Sequence, residues 1–123
     1  MKKLIFILTV TMIFTISCKT NYVMVKIKNQ SDEDFKHVEV RIAGKRFTFE
    51  NLKSKETTKY VKVDKAFPYC PAEVITEKDT LFFRPFDYVG EKLYTSGKLT
   101  MKISIVKEEN KRSLDINSKR PLF

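Results

Sequence analysis

The sequence predicts an all-β fold, a small antiparallel β-sandwich of about seven or eight strands. Apolar and polar residues alternate with a period of two in residues 23–28, 37–43 and 99–106, which is typical of half-buried strands. Turn-forming residues separate such segments at short intervals, as in 29–34. No stretch between them has the apolar period of an amphipathic helix. We therefore expect one β-sandwich domain over residues 22–117.

The first half of this domain is predicted to form a strand, a hairpin and another strand. Residues 23–28 place three apolar side chains on one face, and residues 37–43 repeat that pattern. Ala43-Gly44 allows a sharp turn, so that residues 46–49 return as the second strand of a hairpin. The β-branched residues within 57–63 predict the next strand.

The middle of the domain is less regular. Residues 67–71 contain two prolines, which remove ladder donors and favour a crossing segment or a sheet edge. Residues 72–76 and 80–84 predict a pair of strands around a polar turn. Residues 86–97 form the longest stretch without strand periodicity, and we expect them to cover an open end of the core.

The C-terminal part contains the strongest strand pattern in the chain. Four apolar residues of 99–106 face one way, so we expect this strand at the centre of a sheet. Residues 112–117 predict a short final strand that pairs back onto it, and residues 118–123 are expected to form a tail.

The first 17 residues have the anatomy of a secretory signal peptide. Lys2 and Lys3 precede an apolar run that also contains threonines, and the small residue Ser17 follows it. A transmembrane helix needs about 20 apolar residues to cross a hydrocarbon layer of ~30 Å, and this run is cut short at Lys19. We therefore expect residues 1–17 to be removed.

The residues around the cleavage point carry a family resemblance. Thr15-Ile16-Ser17-Cys18 resembles the lipobox of bacterial lipoproteins in the looser form found in Bacteroidota. The resemblance implies that Cys18 carries a lipid and is the mature N-terminus, with residues 18–21 as lipidated cysteine and short linker. Lys19 after the cysteine then favours the outer membrane, facing the periplasm. Cleavage without lipidation and a retained membrane anchor are the alternatives.

A second resemblance concerns the fold. The segments that carry it are Asn29-Gln30-Ser31, Val38-Glu39-Val40, Leu52, Glu56-Thr57-Thr58 and Gly97-Lys98-Leu99-Thr100. They are similar to immunoglobulin-like β-sandwiches common in bacterial envelope proteins. The chain has no tryptophan and only two cysteines, so an antibody-type domain with its buried Trp and disulfide is excluded. The resemblance implies a fold and no particular activity.

The charge balance is strongly basic, with 24 Lys and Arg against 15 Asp and Glu and a formal net charge of +9. Loss of Lys2 and Lys3 with the leader leaves about +7. For an envelope protein the expected partners are the membrane itself, an envelope protein or an anionic glycolipid, and no nucleic acid. Because the lysines are dispersed along the sequence, a solvated basic surface is the other interpretation.

The sequence contains no recognisable catalytic set. Cys70 and His37 are the one pair that could act as nucleophile and base, since His37 is the sole histidine, but their spacing does not indicate proximity. Asp32, Glu33 and Asp34 lack the alternate spacing of a calcium loop and indicate a solvated turn. We expect no catalytic residue, no metal and no cofactor. If Cys18 is acylated, Cys70 also has no disulfide partner.

Aromatic residues gather around the proline segment and the irregular stretch after it. Tyr69, Phe86, Tyr88 and Tyr94 are candidates for a binding surface, since loops on a rigid sandwich often carry function. Packing against the core is the alternative role for these rings. We therefore expect a lipid-anchored, non-catalytic binding or structural module of the envelope. The alternative function is a lipoprotein inhibitor of a hydrolase.

Overall fold

The computed structural model of the chain describes residues 21–119, so the leader, Cys18 and residues 120–123 lie outside it. The eight strands are β1 (Val23–Asn29), β2 (Phe35–Ile42), β3 (Lys45–Leu52), β4 (Val61–Val63), β5 (Ala72–Ile75), β6 (Thr80–Phe83), β7 (Gly97–Glu108) and β8 (Lys111–Lys119). They form two four-stranded sheets, ordered β4-β1-β7-β8 and β3-β2-β5-β6. The predicted small all-β sandwich is thereby confirmed. Within residues 21–119 no helix is long and apolar enough to cross a bilayer.

The core follows directly from the alternation seen in the sequence. Alternate residues of β1 are fully buried, from Val23 to Asn29, and β2 buries Phe35, Val38 and Val40 completely. Inward residues of both sheets join one hydrophobic cluster whose members all lie between Val23 and Ile116. Among the described residues 21–119, the core thus extends from Val23 to Ile116.

The pairing of the strands is antiparallel with one exception. β1 runs parallel to β7, with Val23 opposite Gly97 and Ile27 opposite Met101. β7 also pairs with β8, so it lies inside its sheet, as predicted. β1 and β2 lie in different sheets, whereas the first two strands of an antibody constant domain are neighbours. The chain thus has its own strand order within the sandwich architecture.

The predicted hairpin between the second and third strands is present. Ile42 pairs with Lys45, which leaves a two-residue turn of Ala43 (φ 53°) and Gly44 (φ 75°). Positive φ at both central residues is what a type I′ hairpin turn requires, because its twist matches that of the flanking strands. Gly44 takes this conformation at little cost, whereas Ala43 is a non-glycine residue in a strained region.

The predicted strand over residues 57–63 is shorter than expected. Only Val61–Val63 is a strand, and Thr57 forms an isolated bridge with Lys28. The hydroxyl of Thr58 accepts a hydrogen bond from the Ile27 amide at 3.0 Å, taking the place of a ladder carbonyl. A side chain that competes for backbone partners in this way interrupts regular pairing. The final strand, in contrast, continues beyond the predicted residue 117 to Lys119.

Candidate binding surface

Within residues 21–119, Cys70 and His37 do not come together. Cys70 is 3% exposed, and its thiol points at the Met101 sulfur at 3.6 Å. Desolvation raises the pKa of Cys70 to about 12, and a backbone hydrogen bond with Arg41 offsets part of that rise. His37 instead contacts Glu50 on β3, with 2.6 Å between Nδ1 and Oε1. A thiol with this pKa is protonated at neutral pH and is a poor nucleophile.

Asp32 and Asp34 of the turn after β1 are exposed to solvent, and each carboxylate of this turn also has a cationic partner. Asp32 lies 3.4 Å from Lys55, Asp34 lies 3.7 Å from Lys53, and Glu33 pairs with Arg112. No cluster of three or more His, Cys, Asp or Glu side chains within residues 21–119 is arranged to hold a metal ion. The Asp32 and Asp34 pairs are exposed, whereas the pair of Glu33 with Arg112 is partly buried.

Arg112 connects three segments that are distant in sequence. Its guanidinium donates two hydrogen bonds to Glu33, at 2.6 and 2.9 Å, and two to Asp79, at 3.0 and 3.2 Å. These hydrogen bonds are the main cause of a lowered pKa for both Glu33 and Asp79. Arg112 thus joins β8 to the β1–β2 loop and to the β5–β6 turn, across the two sheets.

We expect Arg112→Gln to destabilise the domain by about 1–2 kcal/mol at neutral pH, since charge-assisted bonds of partly exposed groups are lost. The lowered pKa values of Glu33 and Asp79 contribute stability above about pH 4, and that stability disappears as the pH falls through them. The wild type should therefore lose more stability on acidification than the variant does. Urea unfolding at several pH values measures this difference.

Arg46→Gln is the matched control, because Arg46 pairs with Glu39 at 3.3 Å on an exposed face. We expect a change of less than about 0.5 kcal/mol there. If the Arg112→Gln variant kept the acid dependence of the wild type, the role assigned to Arg112 would be wrong.

Three aromatic rings stack where the proline segment meets the irregular stretch before β7. Tyr88 stacks on Phe67, with 4.3 Å between ring centroids, and on Tyr69, with 5.3 Å. Phe83 meets Tyr69 edge to face. We call Phe67, Tyr69 and Tyr88 the aromatic stack. Desolvation raises the pKa of both tyrosines, so their hydroxyls remain protonated donors at neutral pH.

Beside the aromatic stack lies a cavity of about 340 Å³, which we call the aromatic cleft. The β2–β3 turn, residues of 65–71, Tyr88 and Leu93 line it. Its walls are mainly apolar, and Arg41 and Lys65 add two cationic groups. A cleft of this size and chemistry suits an apolar group next to an anionic one.

The cleft lies at the end of the sandwich where β1 begins. Val23 pairs with both Val63 and Gly97, and the segments that line the cleft follow Val63 or precede Gly97 along the chain. The same end carries the most exposed apolar side chains. Phe86 is 101% exposed and Val89 is 87% exposed, and we call the loop that carries them the loop tip. Exposed apolar groups beside an apolar cleft indicate a contact surface.

The four aromatic residues predicted as a binding surface occupy different positions at this end. Tyr69 and Tyr88 belong to the aromatic stack and line the cleft, whereas Phe86 projects from the loop tip. Tyr94 pairs its backbone with Ala66 through two hydrogen bonds of 2.8 and 2.9 Å, and Lys92 lies over its ring. Their role as a binding surface stays a prediction.

Sequence reasoning missed the residues that close the cleft on the other side. Arg41 and the Ala43-Gly44 turn come from the β2–β3 hairpin, and Lys65 and Leu93 lie at the margins of irregular segments. The turn itself could be predicted, but its distance from the proline segment depends on how the two sheets pack. One indication of these residues is present in the sequence, because the apolar–polar alternation of residues 37–43 places Arg41 on the exposed face of its strand.

Comparison with known proteins supports the fold and no more. No family model matches the sequence, and no curated protein is similar to it. A solved structure described as an NMR structure of a protein from Eubacterium rectale is similar, with a TM-score of 0.56 and 12% sequence identity. The match covers 81% of this chain and 94% of that one. At this identity the likeness shows a shared fold.

Proposed function

We propose that the chain is a non-catalytic binding protein of the bacterial cell envelope, anchored through a lipid on Cys18. Residues 1–17 supply the leader, and Thr15-Ile16-Ser17-Cys18 supplies the modification signal. The anchor places the domain at a membrane, with the outer membrane and its periplasmic side as the proposed location. The domain then binds an envelope partner at the aromatic cleft and the loop tip.

The single observation that carries the binding role is the fully exposed Phe86 beside an apolar cleft. An isolated apolar side chain in water is ordinary, but an exposed apolar loop next to an apolar cleft is typical of a contact surface. Arg41 and Lys65 add positive charge at the cleft, so the surface favours a partner with an apolar group beside a carboxylate or phosphate. A protein partner would supply both groups through an apolar side chain next to an Asp or Glu.

Catalysis has little support from the described residues. The thiol of Cys70 is buried with a pKa of about 12, and His37 is engaged by Glu50. The acids of the β1–β2 loop are paired with lysines and an arginine. The thiol, the imidazole and the carboxylates therefore each have a partner or are buried, whereas general acid–base catalysis needs a group that can reach the substrate.

The projecting loop also favours the second candidate, inhibition of a hydrolase. A rigid sandwich that presents Phe86 on an exposed loop has the form required to enter the active-site cleft of another protein. The identity of the partner separates the two functions, because an inhibitor would bind one hydrolase and abolish its activity.

Site-specific photocrosslinking in intact cells tests the binding role. A photoreactive benzoylphenylalanine in place of Phe86 should give a discrete covalent adduct with a protein of the envelope. The matched control is the same probe in place of Phe82, which is 47% exposed on the outward face of the other sheet. We expect no such adduct from the control position.

Two results would contradict the proposal. One is the same set of adducts from both positions, which would mean that the crosslinks arise from non-specific encounters and not from a binding surface. The other is an adduct with lipid only at position 86, which would assign the loop tip to the bilayer. A discrete protein adduct from position 86 alone supports the proposal, and its mass fingerprint identifies the partner.

A further inference from the structure

The outward face of the sheet β4-β1-β7-β8 gathers lysines that are scattered in the sequence. Alternate residues point outward, and the register places Met24 beside both Lys62 and Lys98, and Lys28 beside Lys102. We call this surface the lysine face, and its members are Lys26, Lys28, Lys62, Lys98 and Lys102. These lysines are dispersed along the sequence, but three neighbouring strands bring them together on one face.

The lysine face has few acids to neutralise it. Within residues 21–119 none of its five lysines forms an ion pair with a carboxylate, whereas Lys53, Lys55 and Arg112 do. The acids with the same orientation, Asp115 and Glu108, lie on edge strand β8 and at the end of β7. The positive potential of the central strands is thus largely uncompensated.

The opposite face of the sandwich has a different character. On the outward side of β3-β2-β5-β6, Glu39 lies opposite Glu73, and Arg46 pairs with Glu39 at 3.3 Å. Acids and bases are mixed there. The sheet that carries the lysine face thus has an uncompensated positive charge that the other sheet lacks, and such an asymmetry can orient a protein on a charged surface.

Two tyrosines accompany the lysines on this face. The ammonium groups of Lys26 and Lys98 lie 4.9 and 5.6 Å from the ring centroid of Tyr60, and that of Lys62 lies 4.3 Å from the Tyr22 ring. A ring shared by two cations gathers positive charge in the absence of a carboxylate. Tyrosine and lysine together are typical of surfaces at a membrane–water interface, where an apolar body meets polar headgroups.

We propose that the lysine face docks on the anionic headgroups of a lipid bilayer. The choice of the bilayer as occupant rests on the proposed anchor at Cys18, because the chain enters the domain at the edge of this face. Tyr22 precedes β1, and Val23 pairs with Val63 and Gly97 next to Lys62 and Lys98. Three residues lie between Cys18 and Tyr22, so the two Cα atoms are at most about 14 Å apart.

This docking orients the rest of the molecule. With the lysine face on the headgroups, the other sheet points away from the bilayer, and the cleft end of the strands opens along the membrane surface. The lipid anchor supplies attachment, and the lysine face supplies orientation. A partner that meets the loop tip would then be a membrane-proximal protein.

Vesicle sedimentation of residues 19–123 tests the inference without the anchor, because the core lies entirely within residues 23–116. This chain should bind vesicles that contain phosphatidylglycerol at low salt, bind pure phosphatidylcholine vesicles much more weakly, and dissociate at high salt. The variant with Lys62→Gln, Lys98→Gln and Lys102→Gln should bind about 100-fold more weakly, at about fivefold for each lysine.

The matched control carries Lys36→Gln, Lys45→Gln and Lys78→Gln, which remove the same charge from exposed positions off the lysine face. We expect its vesicle affinity to stay within about threefold of the wild type. An equal loss of vesicle affinity in both triple variants would overturn the inference. Wild-type binding that does not depend on phosphatidylglycerol would also overturn it. So would equal binding to dextran sulfate, since that would assign the face to polyanions in general. Absence of lipid from Cys18 of the wild-type protein would refute the anchor and would leave these vesicle results unchanged.

Discussion

Replacement of Asn29 by alanine is expected to lower the free energy of unfolding by about 3 kcal/mol, because buried polar groups lose their partners. The Asn29 side chain is fully buried. Its amide donates to the carbonyls of Glu33 and Leu52, at 2.7 and 3.1 Å. Its oxygen accepts from the Ser31 amide at 3.0 Å and the Ser31 hydroxyl at 2.6 Å.

The size of this effect comes from what alanine would leave behind. A methyl group cannot bond the Ser31 amide or the Leu52 carbonyl, and each unsatisfied buried group costs about 1–3 kcal/mol. The loop that holds Asp32 and Asp34 against Lys55 and Lys53 would also lose its attachment to the end of β1.

Thermal and urea unfolding measure the change. For a domain of this size the midpoint of thermal unfolding should fall by about 15 °C. Asn117→Ala is the control, because Asn117 is exposed on β8 and its removal should change stability by less than about 0.5 kcal/mol. An Asn29→Ala variant as stable as the control would show that the buried network is not a source of stability.

Much of the fold could be predicted because burial on one face imposes a pattern on single strands. The period of two in 23–28 and 99–106 corresponds to β1 and β7, and the Ala43-Gly44 turn corresponds to the β2–β3 hairpin. The interior position of β7 also followed from its long apolar face. These properties are local, so the sequence carries them directly.

The pairing partners of the strands could not be predicted in the same way. Alternation has the same form in parallel and antiparallel strands, so the parallel pairing of β1 with β7 leaves no trace in either segment. The lysine face has the same origin, since Lys62, Lys98 and Lys28 become neighbours only through that register. Charge counted along the chain therefore does not reveal how the lysines are arranged in space.

The candidate site was predicted in part for a related reason. Tyr69 and Tyr88 could be predicted as candidates because they are aromatic residues of irregular segments, and both line the cleft. The sequence indicates only that Arg41 is exposed and gives no signal for Leu93, because their place in the cleft depends on how a hairpin packs against a distant loop. The partners of Glu33 were hidden for the same reason, since Arg112 lies 79 residues away.

Replacement of Cys18 by alanine is expected to abolish lipid modification entirely. A single acyl chain, at about 0.8 kcal/mol per buried CH₂, holds a protein only marginally, whereas two or more chains hold it stably. Cells fed an alkyne analogue of palmitate should label the wild type and fail to label the Cys18→Ala variant. Cys70→Ala is the matched control, because Cys70 is the other cysteine and is buried. It should keep the full label.

The most direct test of the lipid-anchored assignment is the mass of the N-terminal peptide of the mature protein extracted from membranes. We predict a peptide that begins at Cys18 and carries a diacylglycerol on the thiol. A mature chain that begins at another residue, a Cys18 without lipid, or a chain that retains residues 1–17 would contradict the assignment.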